Sequence, residues 1–141
     1  MCRIKADPVT ELDELLNQLI QKVTRDVLFV IKGKVSASQF AIMRVLRQTG
    51  RSTVTGIAEQ LEITLSGVTA LSDRLVEAGL VERVRDEQDR RVVWIDLSEK
   101  GRELVVELEG VKRGMVERYV EGLSESEVRK LNDIMRKILR A

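Results

Sequence analysis

After Gly79 the apolar period of this chain falls from three or four residues to two, and at Ser98 it returns to the helical value. In Leu80-Val81-Glu82-Arg83-Val84-Arg85 branched residues alternate with charged ones, as on a half-buried strand, and Val92-Val93-Trp94-Ile95-Asp96-Leu97 repeats the pattern. The run between them, Asp86-Glu87-Gln88-Asp89-Arg90-Arg91, is wholly polar and reads as a hairpin loop. A single two-stranded hairpin, set between helical stretches, is the feature to which the rest of the fold must conform.

The helical stretches carry their own punctuation. Asp7-Pro8 is a helix start, an Asp cap followed by a proline that needs no amide partner at the first position. Leu12, Leu15, Leu16, Leu19, Val23, Val27 and Val30 then recur at three- and four-residue steps up to Gly33. Ser36 with Gln39 spells a capping box, and Phe40, Met43, Val45 and Leu46 carry a second helix to Gly50. Two short helices follow, Thr53 to about Leu61 and Thr64 to about Ala78, each headed by a threonine able to cap the first amides. Beyond the hairpin, Ser98 caps a long helix containing Leu104, Leu108, Val111, Met115 and Tyr119, closed by Gly122. Ser124 with Glu127 makes a second capping box before a last helix with Val128, Leu131, Ile134, Met135 and Ile138 on one face.

Two short capped helices, the second leading straight into a hairpin, form the layout of a winged helix-turn-helix. The predicted class is mainly α with a small β-hairpin wing (α+β). A single domain is expected over 1–141, with a DNA-binding lobe at 36–97 and helices for dimerisation at 7–35 and 98–141. The second short helix should place Val68, Leu71 and Leu75 in the core, which points Ser66, Gly67, Thr69, Ala70 and Asp73 outward. Small residues let such a helix sit deep in a major groove, hydroxyls meet bases or phosphates, and the free amides behind Thr64 favour a phosphate. In the loop, Arg90 and Arg91 supply the charge that a narrow minor groove attracts, and Asp86 and Asp89 can hold one guanidinium in a bidentate pose. Trp94 should face away from the core side of its strand.

Composition narrows the chemistry. There is no histidine and Cys2 is the only cysteine, so an intrachain disulfide is impossible and a nitrogen- or sulfur-rich metal site is nearly excluded. Serine- and cysteine-based hydrolysis lose their usual base, no Gly-rich phosphate loop is present, and no enzyme activity or cofactor is expected. No apolar run approaches the ~20 residues needed to span a bilayer, and Arg3, Lys5 and Asp7 do not begin a secretory signal. A cytoplasmic location, with no membrane partner, is the expectation. The formal net charge is +1, but residues 51–95 hold 6 basic and 8 acidic side chains. DNA affinity must therefore rest on a few placed arginines and helix N-termini rather than on a global field.

Several of these runs, in this order, resemble the MarR (multiple antibiotic resistance regulator) family. They are Ile57-Ala58-Glu59-Gln60-Leu61, Val68 to Leu75, Gly79-Leu80-Val81-Glu82-Arg83, Asp86, Asp89-Arg90-Arg91 and Leu97-Ser98-Glu99-Lys100-Gly101. The resemblance implies an obligate homodimer interlocked through the first and the last two helices. It implies Ser66, Thr69, Ala70 and Arg74 at or near the major groove, Arg90 at the minor groove, and Asp89 with Arg91 bracing the wing; the order of roles between Arg90 and Arg91 stays open. Ala70 departs from the larger polar residue that many relatives carry there. It further implies repression of a nearby operon, relieved by a small molecule bound near the junction of the first, second and fifth helices, where Phe40, Met43 and Arg44 are candidates. Some relatives sense peroxides through a cysteine within the first helix; Cys2 precedes that helix, which argues against a redox role.

The apolar stripes of the terminal helices need a cover, which independently favours a dimer over packing within one monomer. Gly110 and Gly114 have the spacing that permits close helix approach, or marks a bend. A two-fold dimer demands a near-palindromic double-stranded operator with half-sites about one turn (~10 base pairs) apart. The competing class is a winged-helix dimer that has lost DNA and titrates a protein partner, in the manner of an anti-repressor. The acidic balance of 51–95 motivates it, and retention of Arg74, Arg90 and Arg91 opposes it.

Overall fold

The computed structural model describes residues 7–141, so Cys2, Arg3 and Lys5 lie outside the described residues. In chain order the elements are α1 (Pro8–Ile31), α2 (Ala37–Thr49), α3 (Val54–Leu61), α4 (Leu65–Glu77), β1 (Val81–Arg85), β2 (Val93–Leu97), α5 (Glu99–Tyr119) and α6 (Glu125–Leu139). Five helix starts are fixed by side-chain oxygens that accept a backbone N–H three residues on: Ser36, Thr53, Thr64, Ser98 and Ser124. Ser36 and Ser124 are full capping boxes, closed by Gln39 and Glu127. Asp7 stands at the N-cap of α1 but makes no side-chain cap hydrogen bond; Pro8 alone marks that start.

The chain divides into two compact units, one running to Leu108 and the other Glu109–Ala141. In the first, α2, α3 and α4 pack on one another, α4 meets β1, and α2 meets β2. Ile42, Met43, Ile57, Val68, Leu75, Ile95 and Val105 are fully buried at its centre. The hairpin is antiparallel, with Val81 opposite Leu97 and Arg85 opposite Val93. Ser52 adds a one-residue third strand: its N–H donates to the Ile95 carbonyl (3.0 Å) and its carbonyl accepts the Ile95 N–H (2.8 Å).

The alternation expected of β1 does not translate into burial. Leu80 and Val81 are buried, but Glu82 to Arg85 are all exposed, Val84 included. Only the start of β1 lies under a helix, and a strand face without a covering layer stays wet whatever its sequence period. On β2 the pattern holds, with Ile95 and Leu97 inward. The turn of the helix-turn-helix is made by Glu62, a non-glycine residue in the left-handed region (φ +54°), which lets the Ile63 N–H reach the Ala58 carbonyl. Gly122 does not close α5 by a left-handed cap; the chain turns through a bond from the Leu123 N–H to the Val120 carbonyl. Among the described residues a Cβ at Gly110 or Gly114 would meet nothing within 4 Å, so neither glycine marks a close approach there.

One core position is chemically out of place. Ser72, on the inward face of α4, is fully buried and its hydroxyl has no hydrogen-bond partner among the described residues. A desolvated hydroxyl without a partner is a cost that alanine removes while leaving the helix intact. Ser72→Ala is expected to raise stability by about 1 kcal/mol, read from the urea midpoint at one protein concentration. A loss of similar size would instead reveal a buried water on that hydroxyl.

Candidate nucleic-acid interface

The first turn of α4 is built by Thr64. Its Oγ1 accepts the Gly67 N–H at 3.1 Å and lies 3.3 Å from Ser66 Oγ, so two hydroxyls gather at the helix N-terminus. A Cβ at Gly67 would sit 3.0 Å from Thr64 Oγ1, so a larger residue would need that capping hydroxyl to shift by a few tenths of an ångström. Thr69 donates its hydroxyl to the Leu65 carbonyl at 3.0 Å, which keeps its lone pairs available to an outside donor. Thr64, Ser66, Thr69, Ala70 and Arg74 are exposed and Gly67 is half-buried, while Val68 and Leu75 face the core and Leu71 lies at its edge. The surface of α4 is thus a low-relief polar ridge with an arginine at its far end. Leu65, also exposed, stands beside it; an apolar side chain in that position is suited to a thymine methyl group, a role its periodicity alone does not announce.

Asp73 points outward as expected, but it is not a bare carboxylate on the reading helix. It pairs with Arg83 of β1, which ties α4 to the wing and offsets a negative charge on the outward face of α4. The two residues lie on separate elements, so no local sequence signal joins them.

The wing is ordered from within. Asp89 accepts the Arg91 backbone N–H (3.0 Å) on Oδ1 and grips its guanidinium through Nε–Oδ1 (3.1 Å) and Nη2–Oδ2 (3.2 Å), a bidentate pair. The Arg91 guanidinium and backbone amide hold the Asp89 carboxyl below the usual carboxylate range. A lowered folded-state pKa contributes order that is present above the unfolded value and lost as pH falls through the folded one. The brace is therefore intact throughout the neutral range and weakens only under strong acid. Asp86 does not share in gripping the guanidinium. Its Oδ2 accepts the Asp89 N–H (3.2 Å) and its Oδ1 faces the Trp94 indole N–H (3.4 Å). Arg90 is exposed and makes no ion pair among the described residues.

The candidates for effector contact fall differently. Phe40 and Met43 are buried in the core (5% and 0% exposed), and the Arg44 guanidinium sits 6.0 Å from the Phe40 ring centre. An open apolar groove of about 490 Å³ lies where Arg25, Leu28, Phe29 and Ile31 of α1 meet Lys32, Val35, Ser36 and Ala37. None of the three candidates lines it. Among the described residues no helix is long and apolar enough to cross a membrane, and no group of three or more acidic, cysteine or histidine side chains is placed to hold a metal.

Comparison with known proteins agrees with this geometry. The MarR family model matches residues 35–93, which span α2 to the start of β2. The helix-turn-helix transcriptional repressor MdtR of Bacillus subtilis is 30% identical over 127 residues, 89% of this chain and 82% of that protein. A MarR family protein from Bacillus stearothermophilus superposes with a TM-score of 0.84 at 28% identity, over 94% of this chain and 93% of the other. Streptococcus pneumoniae FabT, solved in complex with DNA, superposes with a TM-score of 0.82 at 25% identity, over 92% and 94% of the two chains. The likeness in fold covers more than nine-tenths of the chain, and this chain belongs to the MarR family of helix-turn-helix transcriptional regulators.

Proposed function

We propose that the protein is a dimeric repressor that lays α4 in the major groove of a near-palindromic operator, sets Arg90 and Arg91 against the adjacent minor groove, and is released by a small-molecule effector. The observation that carries this reading is the exposed Thr64–Ser66–Thr69 ridge beside a wing whose Arg91 is already held by Asp89. Arg74 and the amides of the first turn of α4 supply phosphate contacts. FabT, which shares this fold, was solved in complex with DNA, and this supports DNA as the partner here. The protein would act in the cytoplasm, without catalysis, cofactor or membrane. The effector would bind near the junction of α1, α2 and α5; of the three sequence candidates only Arg44 is partly exposed.

Two apolar stripes support the dimer. Leu12, Leu15, Leu16 and Leu19 on α1 are each 43–54% exposed, as are Ile134, Met135 and Ile138 on α6 at 44–55%. Contiguous apolar surface on that scale marks a protein interface. Ile134→Asp with Ile138→Asp is expected to convert the protein to a monomer in sedimentation at micromolar concentration. Operator affinity should fall by about 100-fold or more, since each half-site must then be bound alone. A dimer of undiminished affinity would remove α6 from the interface.

The acidic balance of residues 51–95 favours one other reading, a dimer that titrates a protein partner. Selection of random duplexes by the purified protein separates the two. A palindromic motif whose binding weakens with added salt is the expected result. No enrichment at low salt, from a folded dimer, would establish the second reading.

A further inference from the structure

We propose that Trp94 is the positioning residue of the wing, transmitting the rigidity of the helical unit through Asp86 to the arginines at its tip. This rests on the reading of the wing as a DNA-contacting element. The loop from Asp86 to Val92 is polar and its tip has no apolar anchor of its own, so by composition it should be among the least ordered parts of the fold. What it has instead is a relay of contacts. Ser52 is locked to Ile95 by two backbone hydrogen bonds, and this sets Arg51 next to the strand carrying Trp94. The Arg51 guanidinium lies 5.0 Å from the centre of the Trp94 ring, within cation–π range. At the ring's edge the indole N–H points to Asp86 Oδ1, and the other oxygen of that carboxylate holds the Asp89 amide. Asp89 in turn holds Arg91. The loop is closed by the Asp86 N–H on the Val92 carbonyl and the Val92 N–H on the Asp89 carbonyl, both at 3.0 Å.

Each partner has a reason to be where it is. Trp94 lies directly opposite Val84 of β1, so the two are cross-strand neighbours on one face of the hairpin. Arg51 and Asp86 are themselves walls of a cleft of about 440 Å³ with Val84, Arg85, Glu87 and Gln88, so the cluster sits at the root of the wing. A guanidinium on one part of the ring and a carboxylate at its N–H fix the ring's tilt, and the tilt fixes where Asp86 holds the loop. Arginine placed in advance discriminates between narrow A·T and wider G·C minor grooves; arginine on a loose loop finds phosphates in either.

The test uses the full chain and the operator found by selection, with the bases beneath the wing made either A·T or G·C. Trp94 is the only tryptophan, so its acrylamide quenching reports the indole directly. Asp86→Asn should raise quenching of Trp94 and lower the A·T-over-G·C affinity ratio by about threefold or more, with the thermal midpoint close to wild type. Trp94→Phe, which keeps an aromatic face for Arg51 but loses the N–H, should lower the same ratio. Unchanged quenching in Asp86→Asn would overturn the proposal. So would increased quenching with an unchanged ratio, which would reduce the cluster to ordinary packing. A wild-type protein that binds the operator with no preference for bases under the wing would overturn the wing reading itself, whatever the variants do.

Discussion

Gly101→Ala is expected to destabilise the protein by about 3–5 kcal/mol, enough to leave many marginal domains largely unfolded near 37 °C. The residue sits in the first turn of α5, where its N–H donates to Ser98 Oγ (3.0 Å) and its α-carbon faces the backbone of Leu80. A Cβ there would overlap the Leu80 carbonyl oxygen outright and lie 2.9 Å from the carbonyl carbon and 3.3 Å from Cα. No flexible side chain can give way, because all three atoms are main chain. The same carbonyl accepts the Ser98 N–H at 3.0 Å, and the Ser98 hydroxyl donates to the Gly79 carbonyl at 2.6 Å. Relief therefore means moving α5 off the start of the hairpin, which breaks these bonds and opens the core around Leu80, Leu97 and Val105. Overpacking costs about 1–3 kcal/mol and each lost hydrogen bond about 1 kcal/mol more. The check is the urea midpoint at fixed protein concentration. A shift worth under 1 kcal/mol would mean that α5 does not approach Leu80 as described.

Gly101 also shows what a sequence does and does not say. As the end of Leu97-Ser98-Glu99-Lys100-Gly101 it contributed to the family resemblance, yet nothing in its local pattern explains why alanine would not serve. The reason is a contact with Leu80, distant in sequence. Features made between residues three or four apart were legible: the caps at Ser36, Thr53, Thr64, Ser98 and Ser124, and the outward set of α4. Those caps depend on one side chain and one amide of the same turn, so the sequence already contains both partners.

Features made across elements were not legible. The Ser52–Ile95 bridge, the pairing of Asp73 with Arg83 and the left-handed Glu62 are each set by the tertiary arrangement. The partner of Asp86 is another such feature. Spacing places two carboxylates near two arginines, but only the folded loop decides that Asp89 takes Arg91 while Asp86 takes an amide and an indole. Phe40 and Met43 show how far helical spacing goes. Apolar residues at helical spacing are first of all core, and both are buried.

A large effect on operator binding is also expected at the wing. Arg90→Ala with Arg91→Ala should weaken operator binding about 100-fold at low salt while leaving fold and dimer intact, because both side chains are exposed. The proposed two-fold dimer would carry two wings, so each deletion would act twice; a loss of about 1–1.5 kcal/mol per wing gives that factor. The slope of log affinity against log salt should also become shallower, by about 0.9 for each phosphate contact removed. Asp89→Ala is the discriminating control. It leaves both arginines but releases Arg91 from its bidentate hold and removes a carboxylate from the tip. If the wing acts through charge alone, this variant should bind as well as wild type or better, because a negative charge has gone. If it acts through an arginine fixed in place, affinity for the selected operator should fall about 3- to 10-fold while affinity for unrelated duplex holds or rises. The bidentate geometry favours the second result: a pair closed by two parallel hydrogen bonds restrains the guanidinium that bulk charge would leave free.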